Sequence, residues 1–159
     1  ETSQRNFPNI CTTHTFQDKV RSIRAAQAAG LSVCSGGIMG LGENFEDRID
    51  MALSLRELGI QSIPVNMLNP IPGTPFENNR RITEKDMRRI VAVYRFILPT
   101  ASIRLAGGRG LLPDHGKGCF LSGANAAISG DMLTTAGITT ATDMKLLNEL
   151  GYEVGLCNE

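Results

Sequence analysis

No excess of either charge marks this 159-residue chain: 16 Lys and Arg residues cancel 16 Asp and Glu. That balance argues against nucleic acid or an anionic membrane as a partner held by electrostatics. No apolar run approaches the length of a membrane span, and no charged-then-apolar segment opens the chain. The four cysteines, Cys11, Cys34, Cys119 and Cys157, are scattered and form no C-x-x-C pair. Thiols placed this way set the expectation of a reducing cytoplasm rather than a disulfide framework. Low-complexity segments, fixed-period repeats and an obvious linker are also missing. His14 and His115 share no spacing with each other or with an acidic partner. Without H-x-x-x-H, a Ser/His/Asp order or paired carboxylates, hydrolase and zinc-enzyme chemistry have no support.

What the chain does have is an alternation. Residues 15–29 carry Phe16, Val20 and Ile23 at helical spacing, with Thr15 to cap the start and Gly30 to stop it. A short apolar run, 31–34, follows. Residues 45–58 are helical again behind Asn44, and 60–68 read as a strand in which Pro64 suits an edge or strained position. A helix over 83–98 opens with T-E-K-D and closes before Pro99; 102–106 is a third strand. A helix over 116–121, a strand over 125–128 and a helix over 140–150 complete the series. Such an alternation with short glycine-bearing connections predicts parallel β/α units. It leaves an open doubly wound sheet and half of a (β/α)8 barrel as the two architectures. Either places chemistry beyond the carboxyl ends of the strands. Cys34, Asn66 and Arg109 stand there, a thiol, an amide and a guanidinium.

The stretch V-C-S-G-G-I-M-G-L-G-E (33–43) is not a dinucleotide fingerprint, and no G-K-[ST] follows for a phosphate loop. Its glycines either let main chain approach a ligand or make a tight turn. Cys34 is either a small core residue or a ligand. Arg109, in A-G-G-R-G, can reach a phosphate or carboxylate or lie solvated. Arg104, a charge inside an apolar strand, must be paired or point into a polar lumen. Asn66 must be hydrogen-bonded to protein or to substrate. Cys11, Cys119 and Cys157 read as packing or surface residues.

Four blocks, N-I-C-T-T-H-T-F-Q-D, V-C-S-G-G-I-M-G-L-G-E, V-N-M-L-N-P-I-P-G-T-P and I-R-L-A-G-G-R, closely resemble the biotin synthase family in order. The late segment C-F-L-S-G-A-N-A-A-I-S-G-D-M-L-T-T resembles its carboxyl-terminal block. The resemblance implies a radical S-adenosylmethionine enzyme that inserts sulfur into dethiobiotin. It implies the second half of a (β/α)8 barrel as one partial domain over 1–159, with the family's terminal block at about 100–159. The family's [4Fe–4S] cluster is held by C-x-x-x-C-x-x-C, which this sequence does not contain. Its [2Fe–2S] cluster, the sulfur donor, takes three cysteines and an arginine; the resemblance gives Cys34 and Arg109 those roles.

The same resemblance gives Glu1, Lys19, Gly36, Gly37 and Ile38 to S-adenosylmethionine and Asn66 to dethiobiotin. Lys19 stands where the family commonly has arginine, keeping charge and losing the fork. An electron donor such as flavodoxin or ferredoxin and a homodimer of the full-length protein are implied, in the cytoplasm or, for a eukaryote, the mitochondrion. By itself the 159-residue chain is expected to be inactive. Two other readings compete: a related radical enzyme such as a hydrogenase maturase or methylornithine synthase, and a non-catalytic half-barrel that binds a partner.

Overall fold

The computed structural model describes residues 1–131 and 137–155. Its elements in order are α1 (Phe7–Ile10), α2 (Phe16–Ala28), β1 (Gly37–Met39), α3 (Phe45–Glu57), β2 (Ser62–Met67), α4 (Glu84–Ile97), β3 (Ser102–Leu105), a 3-10 turn (Arg109–Leu111), α5 (Lys117–Leu121), β4 (Ala126–Ala127) and α6 (Thr140–Glu149). The four strands lie in the order β1-β2-β3-β4, and every neighbouring pair is parallel. Parallel neighbours in sequence order with intervening helices are the β/α units of a barrel wall.

Three helices begin with a complete capping box. Thr15 with Asp18 opens α2, Asn44 with Asp47 opens α3, and Thr83 with Asp86 opens α4. In each, the cap side chain accepts the third residue's N–H and that residue's carboxylate takes the cap's own N–H. Glycines at positive φ follow the helices: Gly30 after α2 and Gly59 after α3.

Strand residues alternate between two environments. Met39, Ile63, Val65, Met67, Ile103 and Leu105 are buried. They form one core with Met51 and Leu55 of α3 and Met87, Ile90, Val91 and Tyr94 of α4. The opposite face carries Ile38, Ser62, Pro64, Asn66, Ser102 and Arg104, all half-buried. Because the strand period is two, the register that fills the core also delivers the polar residues to that second face.

The run 31–34 is not a strand. Only an isolated bridge joins Cys34 to Ser62, and the ladder resumes with Gly37 opposite Val65. The two pairings share one register, and Pro64 sits between them. It pairs with Arg104 on the β3 side and has no N–H to offer the other, so the ladder is interrupted. The strand expected over 125–128 is only Ala126–Ala127. Helix α1 and the 3-10 turn are additional to the expected elements. Cys157 lies outside the described residues.

Candidate functional site

Three side chains meet on the polar face of the sheet. Cys34 is exposed. Arg104 directs Nη2 to Ser62 Oγ at 2.8 Å and Nη1 to Cys34 Sγ at 3.7 Å. Ser62 and Cys34 are the bridged pair, so the strand pairing itself sets thiol, hydroxyl and guanidinium side by side. Asn66 lies farther along the same face. Its Nδ2 donates to Gly37 O at 3.1 Å, and its Oδ1 accepts from Gly107 N at 2.8 Å. The amide thus ties the start of β1 to the loop after β3. It still has one N–H and one lone pair to offer a ligand.

Arg109 is not placed with Cys34. Its side chain is 4% exposed and forms an ion pair with Asp143 of α6, Nη2 to Oδ2 at 2.6 Å. The same nitrogen donates to Ile128 O at 3.2 Å. The guanidinium beside the thiol belongs to Arg104, five residues earlier. The sequence holds the signal in the parity of the strand, since Arg104 shares its face with Ser62 and Asn66. Arg109 falls beyond the strand, where parity no longer applies.

Glu1 and Lys19 are brought together: Lys19 Nζ is 3.3 Å from Glu1 Oε1. The Glu1 main chain behaves as a further strand on the β1 edge, with its nitrogen donating to Gly36 O and its carbonyl accepting from Ile38 N. Ser3 and Arg5 hold this segment in place by donating to Asp47 Oδ1 at 2.7 and 2.9 Å. Burial raises the Asp47 carboxyl, but the Asn44 backbone, Ser3 and Arg5 outweigh it and leave it below its ordinary value. One cavity of about 350 Å³ is lined by Glu1, Lys19, Cys34, Ser35 and Gly36 along with Phe7, Phe16 and Met51. Ile38 does not line it; it sits opposite Asn66 in the β1–β2 register.

Gly36 and Gly37 answer to the protein before any ligand. A Cβ on Gly36 would lie 2.0 Å from Pro64 O, and one on Gly37 would lie 2.2 Å from Met51 Cε. Their lack of side chains is what lets this segment close against β2 and α3.

Cys119 is fully buried, and desolvation pushes its thiol up to about 12. Cys11 is half-buried, with Sγ 3.4 Å from Thr13 Oγ1 and 3.3 Å from His14 Nδ1. Hydrogen bonding from Thr13, then from the His14 backbone, holds that thiol below its ordinary range. No group of three or more His, Cys, Asp or Glu suited to a metal ion occurs among the described residues. No helix among them is long and apolar enough to cross a membrane.

The model of the Biotin and Thiamin Synthesis associated domain matches residues 64–153. A biotin synthase of Brachyspira hyodysenteriae is 69% identical over 156 residues, covering 98% of this chain and 47% of that protein. One of Akkermansia muciniphila is 60% identical over 154 residues, covering 97% and 48%. The chain therefore spans about half the length of these relatives. Among solved structures, methylornithine synthase matches with TM-score 0.72 at 20% identity over 91% of this chain and 47% of that one. HydG, a maturase of the [FeFe]-hydrogenase, matches with TM-score 0.64 at 20% identity, covering 84% and 32%. These two likenesses show the fold, part of a larger parallel α/β barrel. The chain belongs to the family of the Biotin and Thiamin Synthesis associated domain, and its high-identity matches are to half-length stretches of biotin synthases.

Proposed function

We propose that residues 1–159 serve as the carboxyl-terminal half of a biotin synthase, which inserts sulfur into dethiobiotin by radical chemistry. The observation that carries this reading is the juxtaposition of an exposed Cys34 thiol with the Arg104 guanidinium at 3.7 Å. Biotin synthases at 69% and 60% identity support it.

An open soft sulfur flanked by a guanidinium fits one side of a [2Fe–2S] site, and Cys34 with Arg104 would hold it. The other thiolates that such a cluster needs have to come from outside residues 1–159, as do all ligands of a [4Fe–4S] cluster. When bound, the [2Fe–2S] group supplies sulfur, and S-adenosylmethionine with the [4Fe–4S] cluster supplies the means of removing hydrogen from unactivated carbon.

This chain's own residues position and enclose. Ser62 takes one nitrogen of Arg104 and so aims the other at Cys34. Asn66 offers its remaining donor and acceptor to the ureido ring of dethiobiotin. Glu1 and Lys19, already paired, would separate their charges between the hydroxyls and the carboxylate of S-adenosylmethionine, with Gly36, Gly37 and Ile38 as the adjoining wall. An electron donor of the flavodoxin or ferredoxin class and a homodimer belong to the same reading. So does the division into one partial barrel domain with a terminal block from about residue 100.

The test is the full-length protein, reconstituted anaerobically with iron and sulfide and given dethiobiotin, S-adenosylmethionine and a reductant. Biotin is the expected product. Cleavage of S-adenosylmethionine without biotin would move the protein to another radical enzyme. Arg104→Met is expected to change the visible spectrum of the reconstituted protein, while Arg109→Met leaves it as it is.

A further inference from the structure

We infer that Arg109 and Asp143 form a positioning pair, clasping α6 to the loop after β3 and thereby holding Gly107 against Asn66. The consequence for substrate binding rests on the biotin synthase reading; the clasp itself does not.

The route for the arginine is built into the loop. Arg109 follows Gly107 and Gly108 directly, and Gly116 leaves room for its stem. A Cβ on Gly116 would lie 2.9 Å from Leu105 Cδ1 and 3.4 Å from Arg109 Cγ and Cδ. The guanidinium then reaches Asp143, in the first turn of α6, at 2.6 Å, with both side chains buried.

As a source of stability the pair is poor. Arg109 Nη1 and Asp143 Oδ1 are buried with no hydrogen-bond partner among the described residues. Two of the pair's five polar side-chain atoms are thus desolvated without return, and well-packed apolar side chains would stabilise the fold at least as well. What the pair supplies is one fixed distance between a distant helix and the loop.

That loop touches the site. Gly107 N–H donates to Asn66 Oδ1 at 2.8 Å, and Met67 N–H donates to Gly107 O at 2.7 Å. Gly108, at φ +80°, packs so closely that a Cβ would lie 2.3 Å from Met67 O. Slack between Arg109 and α6 therefore passes straight to the amide of Asn66.

The experiment is backbone hydrogen exchange in the full-length protein, read by mass spectrometry, alongside dethiobiotin kinetics. In Asp143→Asn the Met67 and Gly107 amides should exchange at least about tenfold faster, with those of Ile63 and Val65 unchanged. The KM for dethiobiotin should rise about fivefold or more while kcat moves less than about twofold. The double variant Arg109→Met/Asp143→Leu should recover the melting temperature and recover neither protection nor KM. Unchanged exchange in Asp143→Asn overturns the clasp, and so does an apolar double variant that restores protection along with melting. Should the wild-type protein not turn over dethiobiotin, the functional reading fails and the exchange result alone decides the clasp.

Discussion

Replacing Asn66 by alanine tests the polar face at its most connected point. The side chain makes two hydrogen bonds, to Gly37 O at 3.1 Å and from Gly107 N at 2.8 Å, that no neighbour can replace. Each contributes about 1 kcal/mol net. Gly37 O keeps its ladder bond from the Asn66 main-chain N–H, so only Gly107 N–H would be orphaned, at a desolvation cost if sealed from solvent. Asn66 is half-buried, so water enters the space it leaves, and the loss stays near about 2 kcal/mol. Urea denaturation of the full-length protein, followed by circular dichroism, should show that loss at an unchanged m-value.

Asn66→Asp separates the two ends of the amide. A carboxylate still accepts from Gly107 but sets an oxygen against Gly37 O, so the loss at about pH 7 should match or exceed that of alanine. Protonation gives the group a donor for Gly37 O, which means the fold favours its neutral form and raises its pKa. A raised carboxyl pKa gives stability that grows as pH falls, and the deficit should shrink toward about pH 4. An alanine variant within about 0.5 kcal/mol of wild type, or an aspartate variant as stable as wild type at neutral pH, would refute this account of the face.

Tyr94 has its hydroxyl buried without a partner among the described residues, and Tyr94→Phe should therefore leave thermal stability unchanged or raise it by about 1 kcal/mol. A loss larger than that would mean the hydroxyl is bonded after all. Hydrogen bonding from Thr15 holds the Asp18 carboxyl down at about 2, and Thr83 depresses Asp86 in the same way. Depressed carboxyl values give stability that is complete above the ordinary value near 3.8 and lost as pH falls through the folded values. The melting temperature should accordingly drop between about pH 4 and about pH 2, and Thr83→Ala should cost about 1 kcal/mol at neutral pH. A melting temperature insensitive to acid in that window contradicts the caps. Gly36→Ala, which forces a Cβ to 2.0 Å from Pro64 O, should be far more damaging than Gly30→Ala, which has φ +76° and open space around it. Melting curves that rank them the other way would show that segment 34–36 is not packed on β2.

Helices α2, α3 and α4 were legible because their signals are local. Thr15, Asn44 and Thr83 each stand one residue before an apolar-periodic run, and each bonds within four residues of itself. Strand positions were legible to within a residue or two wherever period-two alternation held. The apolar run 31–34 has the local look of a strand, but the interruption comes from Pro64, thirty residues beyond Cys34, and shows only when the two segments lie side by side. Arg104 carried a readable clue, a charge in phase with Ser62 and Asn66. Arg109 stands out in the sequence through its glycine neighbours, while its partner Asp143 is 34 residues distant and has nothing in its own surroundings to mark it. Ser3, Arg5 and Asp47, which hold Glu1 on the sheet edge, are likewise a tertiary arrangement with no local spacing to reveal it.

The gap that Pro64 leaves makes a seam across the wall. On one side, β1 is zipped to β2 from Gly37 onward; on the other, the main chain of Cys34 and Ser35 meets β2 at Ser62, with Arg104 Nη1 on the Cys34 thiol. Opening the second part breaks one main-chain bridge and shifts Val33 at the border of the core, so it should cost less than unfolding the wall. The thiol is mounted on a leaf of the sheet rather than on its frame. A sulfur mounted this way should yield more easily than Asn66, which sits inside the continuous ladder.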